Sequence, residues 1–138
     1  MPEKDTFHDA VENALVKEGW KITHHHLFIH FGGVDMYVDL GAEKIVAAEK
    51  DGQKIAVEIK SFVGTSIISE FHTALGQFLN YRLGLEEQDP ARTLYLAVPL
   101  DTYKEFFTLP FGQIAIQRHE LKLIIYDPNQ EVIVQWQN

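Results

Sequence analysis

Cysteine is absent from the 138 residues of this chain. Its absence excludes disulfide bonds, thiolate nucleophiles and metal sites built from thiolates. The sequence also lacks internal repeats, low-complexity tracts and any linker long enough to divide it. Because the hydrophobic fraction is 46%, the chain can fill one core, and we expect a single domain over residues 1–138.

Long apolar runs are missing as well. None approaches the roughly 18 residues that a membrane-spanning helix needs, so a membrane-spanning protein is not expected. The first ten residues, MPEKDTFHDA, lack the basic start and apolar region of a secretory signal. We therefore expect a cytoplasmic protein.

Basic residues are scarce, with 12 against 20 acidic residues and a net charge of −8. This balance argues against a dedicated nucleic-acid coat or repressor, which usually carries positive charge. It does not exclude an enzyme whose carboxylates hold a metal ion, because the cation reverses the local field. The sequence contains neither a glycine-rich phosphate loop nor a G-x-S-x-G motif, so it indicates no nucleotide-phosphate loop and no serine nucleophile.

Hydrophobic spacing predicts an α/β or α+β fold, in which helices pack against a mixed sheet. Helical spacing covers a first segment that ends near Gly19, then residues 69–84, 101–107 and 111–119. Strand-like runs cover residues 27–31, 36–40, 44–48, 54–62, 92–98, 121–126 and 131–136. Asp51-Gly52 lies between two of these runs and predicts a hairpin with a two-residue turn.

The string VEIKSF, residues 57–62, places an acid and a base two residues apart in an apolar strand. Because strand residues alternate between faces, Glu58 and Lys60 are expected on one side. Burying both charges is costly without partners. The simpler interpretation is an edge strand with solvated charges, or an ion pair on an exposed face.

The predicted hairpin brings further carboxylates to the same side. A two-residue turn at Asp51-Gly52 places Ile45 opposite Glu58 and Glu43 opposite Lys60. Asp39, Glu43 and Glu49 would then share the face of the E-x-K pair. A cluster of oxygen ligands of this kind suits Mg²⁺ or Mn²⁺, and the Ile59 carbonyl could add a third protein oxygen. Lys60 could orient a water or offset charge in the transition state.

The hairpin with D…ExK between two helices resembles the PD-(D/E)XK nuclease superfamily, which has the restriction-endonuclease-like fold. Longer strings resemble the fdxN-element excision controlling factor XisH family of cyanobacteria. These strings are YVDLGAEKIVAAEKDGQKIAVEIKSFVG, ALGQFLNYR and LYLAVP…LKLIIYDPNQEVIVQW. They occur in the family's order and cover nearly the whole chain.

The resemblance implies roles for particular residues. Asp39 takes the place of the first metal-binding aspartate, although the preceding proline of the superfamily motif is a valine here. Glu58 and Lys60 take the places of the E-x-K pair, with the Ile59 carbonyl as a further metal ligand. Glu12 corresponds to a first-helix glutamate that joins this metal or holds a second one.

Gln77 and Tyr81 match the Q-x-x-x-Y signature that follows E-x-K in RecB-like nucleases. The resemblance implies that Gln77 anchors the active-site network and that Tyr81 contacts the nucleic-acid backbone. Their spacing of four places both on one edge of the second predicted helix. The alternative is an ordinary polar shoulder of a packed helix.

Two further assignments remain open at this point. Glu12 lies away from the centre of the first helix's apolar stripe, so a solvated glutamate is an alternative to a ligand. Glu43 competes with Asp39, because an unbulged hairpin places Glu43 closer to Lys60. A bulge at Gly41 would return Asp39 to the centre, and we favour Asp39 through the family pattern.

The run His24-His25-His26, together with His30, is the other notable feature. His24, His26 and His30 share strand parity, so a Zn²⁺ or Ni²⁺ site is an alternative there. The favoured interpretation is a polar strand end or turn with solvated imidazoles.

The leading functional prediction is a Mg²⁺- or Mn²⁺-dependent DNA phosphodiesterase that acts in programmed DNA rearrangement. The rival is an accessory protein that retains the nuclease scaffold without turnover and controls excision. The resemblance implies DNA, a site-specific recombinase and the small protein XisI as partners. A third option is a homodimer that buries Trp136 of the C-terminal hairpin between two subunits.

Overall fold

A six-stranded mixed sheet forms the centre of the computed structural model, which describes residues 3–36 and 45–138. The strands are β1 (Lys21–His24), β2 (Ile29–Phe31), β3 (Val34–Met36), β4 (Ile45–Lys50), β5 (Gln53–Ile59), β6 (Arg92–Pro99), β7 (Leu123–Asp127) and β8 (Val132–Gln137). The order in the sheet is β1-β4-β5-β6-β7-β8, and β2 and β3 form a separate hairpin. Each of β5 and β6 therefore has a strand on both sides.

The turn between β4 and β5 sets the register on which the candidate site depends. Asp51 has φ 51° and Gly52 has φ 81°, and two consecutive positive φ angles are those of the favoured two-residue hairpin turn. The strands pair from Lys50 opposite Gln53 to Ile45 opposite Glu58. The register predicted from Asp51-Gly52 is confirmed over this range.

Strand β6 runs parallel to both of its neighbours, β5 and β7. Its sequence, RTLYLAVP, is apolar on both faces, and nearly all of its residues are buried. A parallel strand of this kind needs cover on both faces of the sheet, which the helices provide.

The helices lie on both faces of the sheet. They are α1 (Glu3–Lys17), α2 (Ile67–Gln88), α3 (Leu100–Thr102), which continues as a π-helical turn (Tyr103–Phe107), and α4 (Pro110–Arg118). Helix α1 packs through Val11 and Leu15 on the face that bears Val57. Helices α2 and α4 and the π-helical turn pack on the opposite face, which bears Ala56. The architecture is a mixed α/β single domain, as predicted, and no helix in its described part is long and apolar enough to cross a bilayer.

Helix α2 is longer than the sequence indicated. It starts after Ser66, whose hydroxyl accepts the Ser69 N–H at 3.2 Å, and it continues through Gly84 to Gln88. Gly84, where the prediction ended the helix, therefore lies within it. A Cβ at this position would lie 2.5 Å from Cγ2 of Ile29, so glycine permits the close approach of β2 to the helix.

Two strand assignments need correction. Strand β1 was not predicted, because the lysine and histidine in KITH mask a short strand that pairs with β4. The predicted run 27–31 contains β2, and its partner β3 starts before the predicted run 36–40, so that Ile29 pairs with Met36 around Gly32-Gly33. Of the run 36–40 only Met36 is described. Residues 37–44 lie outside the described part of the chain.

Candidate functional site

The E-x-K pair lies at the end of β5, buried beneath α2. The Glu58 side chain is fully buried and the Lys60 side chain is 5% exposed. Lys60 Nζ lies 3.7 Å from Glu58 Oε2. The alternative of an edge strand with solvated charges is wrong, because β5 lies between β4 and β6.

Gln77 reaches this pair from α2. Its Oε1 accepts a hydrogen bond from Lys60 Nζ, which ties the helix to the end of the strand. Tyr81 lies one turn further along the same helix and is also buried. The buried Glu58 and Lys60 and the half-buried Gln77 thus form one polar cluster, the Lys60 cluster, between α2 and the sheet.

The main chain of Lys60 is held on both sides. Its N–H donates to the Ala97 carbonyl on β6 at 3.1 Å. Its carbonyl accepts the Tyr126 hydroxyl from β7, also at 3.1 Å. Two residues later Phe62 has φ 55°, an uncommon conformation for a bulky residue, and its ring packs edge-on against Phe107. The chain therefore turns sharply just after Lys60.

Only some of the remaining predicted metal ligands are among the described residues. Asp39, Glu43 and the suggested bulge at Gly41 lie outside them. Ile59 is the last residue of β5, between Glu58 and Lys60, and its role as a carbonyl ligand stays a prediction. Glu49 shares the face of Glu58 but lies at the other end of the hairpin, opposite Lys54.

Glu12 has a different environment from the one expected. Helix α1 packs on the face of the sheet opposite to the Lys60 cluster, and the Glu12 side chain is 14% exposed. His8 Nε2 and His25 Nδ1 each lie 2.8 Å from Glu12 Oε2. Burial raises the pKa of Glu12, but the hydrogen bonds and charge of the two histidines outweigh burial and hold that pKa below its ordinary value. The alternative of a solvated glutamate is wrong.

The structure does not bring His24, His26 and His30 together as a ligand set. His24 Nδ1 lies 3.1 Å from Thr23 Oγ1, and the His26 ring stacks on Phe28 at 4.8 Å. His30 pairs with Asp35 across the small hairpin. The alternative of a Zn²⁺ or Ni²⁺ site at these three residues therefore has no support in the described residues.

Sequence reasoning missed three side chains that contact candidate residues. His8 lies four residues before Glu12, a spacing that indicates contact on one helix face. His25 was passed over because strand parity favoured its two neighbours. Tyr126 gave no local signal, because 66 residues separate it from the Lys60 carbonyl that it binds.

The protein is a mixed α/β domain with a polar site at a strand end. Helices cover both faces of its mixed sheet, and the site consists of a carboxylate, a lysine and an amide. The family model described as XisH protein matches residues 1–134, and the chain belongs to the XisH family.

Two crystal structures are similar to this chain. One is an XisH family protein from Nostoc punctiforme PCC 73102, with 54% identity and a TM-score of 0.90, covering 97% of this chain and 100% of that chain. The other is a fdxN element excision controlling factor protein from Anabaena variabilis, with 54% identity and a TM-score of 0.90, covering 97% of this chain and 99% of that chain. No curated protein matches the chain.

Proposed function

We propose that this protein is a metal-dependent deoxyribonuclease of the restriction-endonuclease-like fold that acts in controlling the excision of a DNA element. The observation that carries the proposal is the buried Glu58–Lys60 pair at the end of β5, bonded to Gln77. The relative from Anabaena variabilis is a fdxN element excision controlling factor protein, which supports a role in excision.

The order of elements supports the nuclease-like fold. Helix α1 precedes the β4–β5 hairpin, α2 follows it, and β6 then pairs in parallel with β5. Glu58 lies within β5, and Lys60 directly follows its last residue. The main-chain hydrogen bonds of Lys60 to β6 and β7 extend the support of the sheet to that side chain. Precise placement of this kind is what a catalytic site requires.

The donor atoms at this position fit a hard divalent cation. Mg²⁺ and Mn²⁺ prefer oxygen ligands, and the Glu58 carboxylate and the Ile59 carbonyl provide them next to each other in the chain. Asp39 is proposed as the third protein ligand, and Glu12, on the opposite face of the sheet, as a ligand of a second ion. A bound ion would supply Lewis-acid stabilisation of the charge on the phosphate.

The residues of the Lys60 cluster have separate proposed roles. The Lys60 ammonium orients the attacking water and offsets negative charge that develops on the phosphate. Gln77 fixes the rotamer of Lys60 through its hydrogen bond. The predicted contact of Tyr81 with the DNA backbone is not part of the proposal, because this side chain is buried in the core beneath α2.

The test uses two isosteric variants, Glu58→Gln and Lys60→Met. We expect each to lower cleavage of branched, nicked or duplex DNA in Mg²⁺ or Mn²⁺ by about a hundredfold or more, because each removes a charge from the site. Removing one partner of a buried ion pair destabilises a protein by about 3–5 kcal/mol, so circular dichroism must show that each variant is folded.

Glu49→Gln and Lys54→Met are the matched controls. These residues pair across the same hairpin, on the same face, but at its opposite end. They should leave cleavage unchanged. Equal cleavage by the wild type and both site variants would contradict the nuclease proposal.

A second candidate function is a non-catalytic accessory protein that controls a separate recombinase. The net charge of −8 favours it, because an acidic protein suits a protein partner better than DNA alone. The proposed partners are a small XisI-like protein and a site-specific recombinase. Calorimetry distinguishes the two functions: no uptake of Mg²⁺ or Mn²⁺ at millimolar concentration, together with binding of the XisI-like protein, would favour the accessory role.

A further inference from the structure

The hydrogen-bond ladder between β5 and β6 is interrupted at Lys60. The two strands pair in parallel up to Ile59 and Ala97, and the Lys60 N–H donates to the Ala97 carbonyl. In a parallel ladder, the next donor to the Lys60 carbonyl is the N–H two residues further along β6. That residue is Pro99, which has no N–H. The ladder alone therefore leaves the Lys60 carbonyl without a donor.

Tyr126 supplies a hydrogen bond at this position. It pairs with Pro99 in the neighbouring ladder between β6 and β7, and its hydroxyl donates to the Lys60 carbonyl at 3.1 Å. The side chain is fully buried, and its ring packs edge-on against Phe7. Burial raises the pKa of Tyr126 well above its usual range, so the hydroxyl keeps its proton and remains a donor.

We propose that the Tyr126 hydroxyl replaces the missing N–H of Pro99 and is thereby a positioning residue for Lys60. Proline at residue 99 allows the chain after β5 to leave the ladder, and Phe62 turns it away within two residues. Tyr126 holds the Lys60 main chain at the point where the ladder ends. The fixed main chain then lets the ammonium reach both Gln77 and Glu58. The effect on catalysis rests on the proposed function, whereas the hydrogen bond that Tyr126 donates in place of residue 99 does not.

Tyr126→Phe is the first variant, because it removes the hydroxyl and keeps the ring. We expect the carbonyl ¹³C resonance of Lys60 to move upfield, as it does when a carbonyl loses a hydrogen bond, and the Lys60 ammonium resonance to broaden through faster proton exchange. The control is Tyr95→Phe, which removes another hydroxyl on the same face of the sheet, one that donates to Asn138. Lys60 resonances that are unchanged in Tyr126→Phe would overturn the proposal.

Pro99→Ala provides the rescue. It restores an N–H at the position from which the ladder would serve the Lys60 carbonyl. The double variant Tyr126→Phe/Pro99→Ala should therefore return both Lys60 resonances toward their wild-type positions. A general packing role for the hydroxyl predicts no such recovery. A double variant that behaves like Tyr126→Phe alone would overturn the claim that the hydroxyl replaces the ladder donor.

DNA cleavage separates this inference from the proposed function. If the wild type cleaves DNA, Tyr126→Phe should lower kcat by about tenfold with KM unchanged, because a displaced Lys60 acts on the reaction and not on substrate binding. The double variant should recover the lost kcat. If the wild type cleaves no DNA, the proposed function fails, and the Lys60 resonances and their rescue still decide the role of Tyr126.

Discussion

A buried lysine must be paired, and Lys60 shows how this chain does it. Its ammonium is almost fully enclosed, 3.7 Å from the Glu58 carboxylate and bonded to the Gln77 amide. Replacing such a polar cluster by apolar side chains is often neutral or stabilising, so stability alone does not explain its presence. A buried acid–base pair at a strand end is more readily explained by chemistry.

Glu12 gives a prediction at the same scale. Its pKa lies below the ordinary value of 4.5, so its stabilising effect is present above that pH and is lost as the pH falls through the lowered pKa. Glu12→Gln should lower the free energy of unfolding by about 1–2 kcal/mol at pH 7, because it weakens the bonds to His8 and His25. The difference from wild type should shrink as the pH falls below 4.5.

Urea unfolding at pH 7 and at lower pH measures this effect. Asp9→Asn is the control, since Asp9 is an exposed acid on the same turn of α1. A Glu12→Gln variant that is as stable as wild type at pH 7 would show that the two histidines do not hold the carboxylate.

At the scale of elements, the β4–β5 hairpin determines which side chains meet. Its two-residue turn pairs Ile45 with Glu58 and so places Glu58 on the face covered by α2. A slip of one residue would turn Glu58 to the opposite face of the sheet. The turn therefore determines on which face the candidate site lies, although it is at the far end of the strand.

Two glycine-to-alanine substitutions, one in the turn and one in α2, should change the free energy of unfolding in opposite directions. Gly52 has φ 81° and no atom near an added Cβ, so Gly52→Ala should cost about 1–2 kcal/mol through backbone strain alone. Gly76 is exposed within α2, also with open space around an added Cβ, so Gly76→Ala should stabilise by about 0.5–1 kcal/mol. Thermal unfolding of both variants checks the pair. A Gly52→Ala variant as stable as wild type would contradict the turn geometry.

At the scale of the whole molecule, the edge strand β8 is attached by aromatic packing within the chain. The Trp136 ring lies 5.7 Å from the Trp20 ring and 5.1 Å from the Tyr95 ring, and its Nε1 donates to Glu18 at 2.9 Å. Trp136 therefore packs within its own subunit. The homodimer, in which a second subunit would bury this ring, stays a prediction.

Trp136→Ala should accordingly destabilise the monomer. We expect a loss of about 2–4 kcal/mol, because the ring is partly buried against two aromatic neighbours. The shift in Tm should not depend on protein concentration, as it would if the ring joined two subunits. Val134→Ala, an exposed position on the same strand, is the control and should have little effect. A Tm shift that varies with concentration would support the dimer interpretation.

Sequence reasoning succeeded where the signal is local. The Asp51-Gly52 turn gave the hairpin and its register, and the apolar run at 92–98 gave the buried strand. Sequence reasoning failed where contacts with residues distant in the chain determine the local structure. The second helix was predicted to end at Gly84, but it continues to Gln88, and glycine is needed at residue 84 because Ile29 packs against the helix. The lysine and histidine of β1 hid a strand whose pairing with β4 is visible only in three dimensions.

The sequence by itself determined that Glu58 and Lys60 share a face, that the hairpin turns at Asp51-Gly52, and that Gln77 and Tyr81 lie on one helix edge, because each depends on short-range periodicity. Only the tertiary structure decided that Gln77 meets Lys60, that His25 binds Glu12, and that Tyr126 binds the Lys60 carbonyl. These contacts join residues up to 66 positions apart. Such pairings arise from the packing of helices on both faces of the sheet, and no spacing along the chain encodes them.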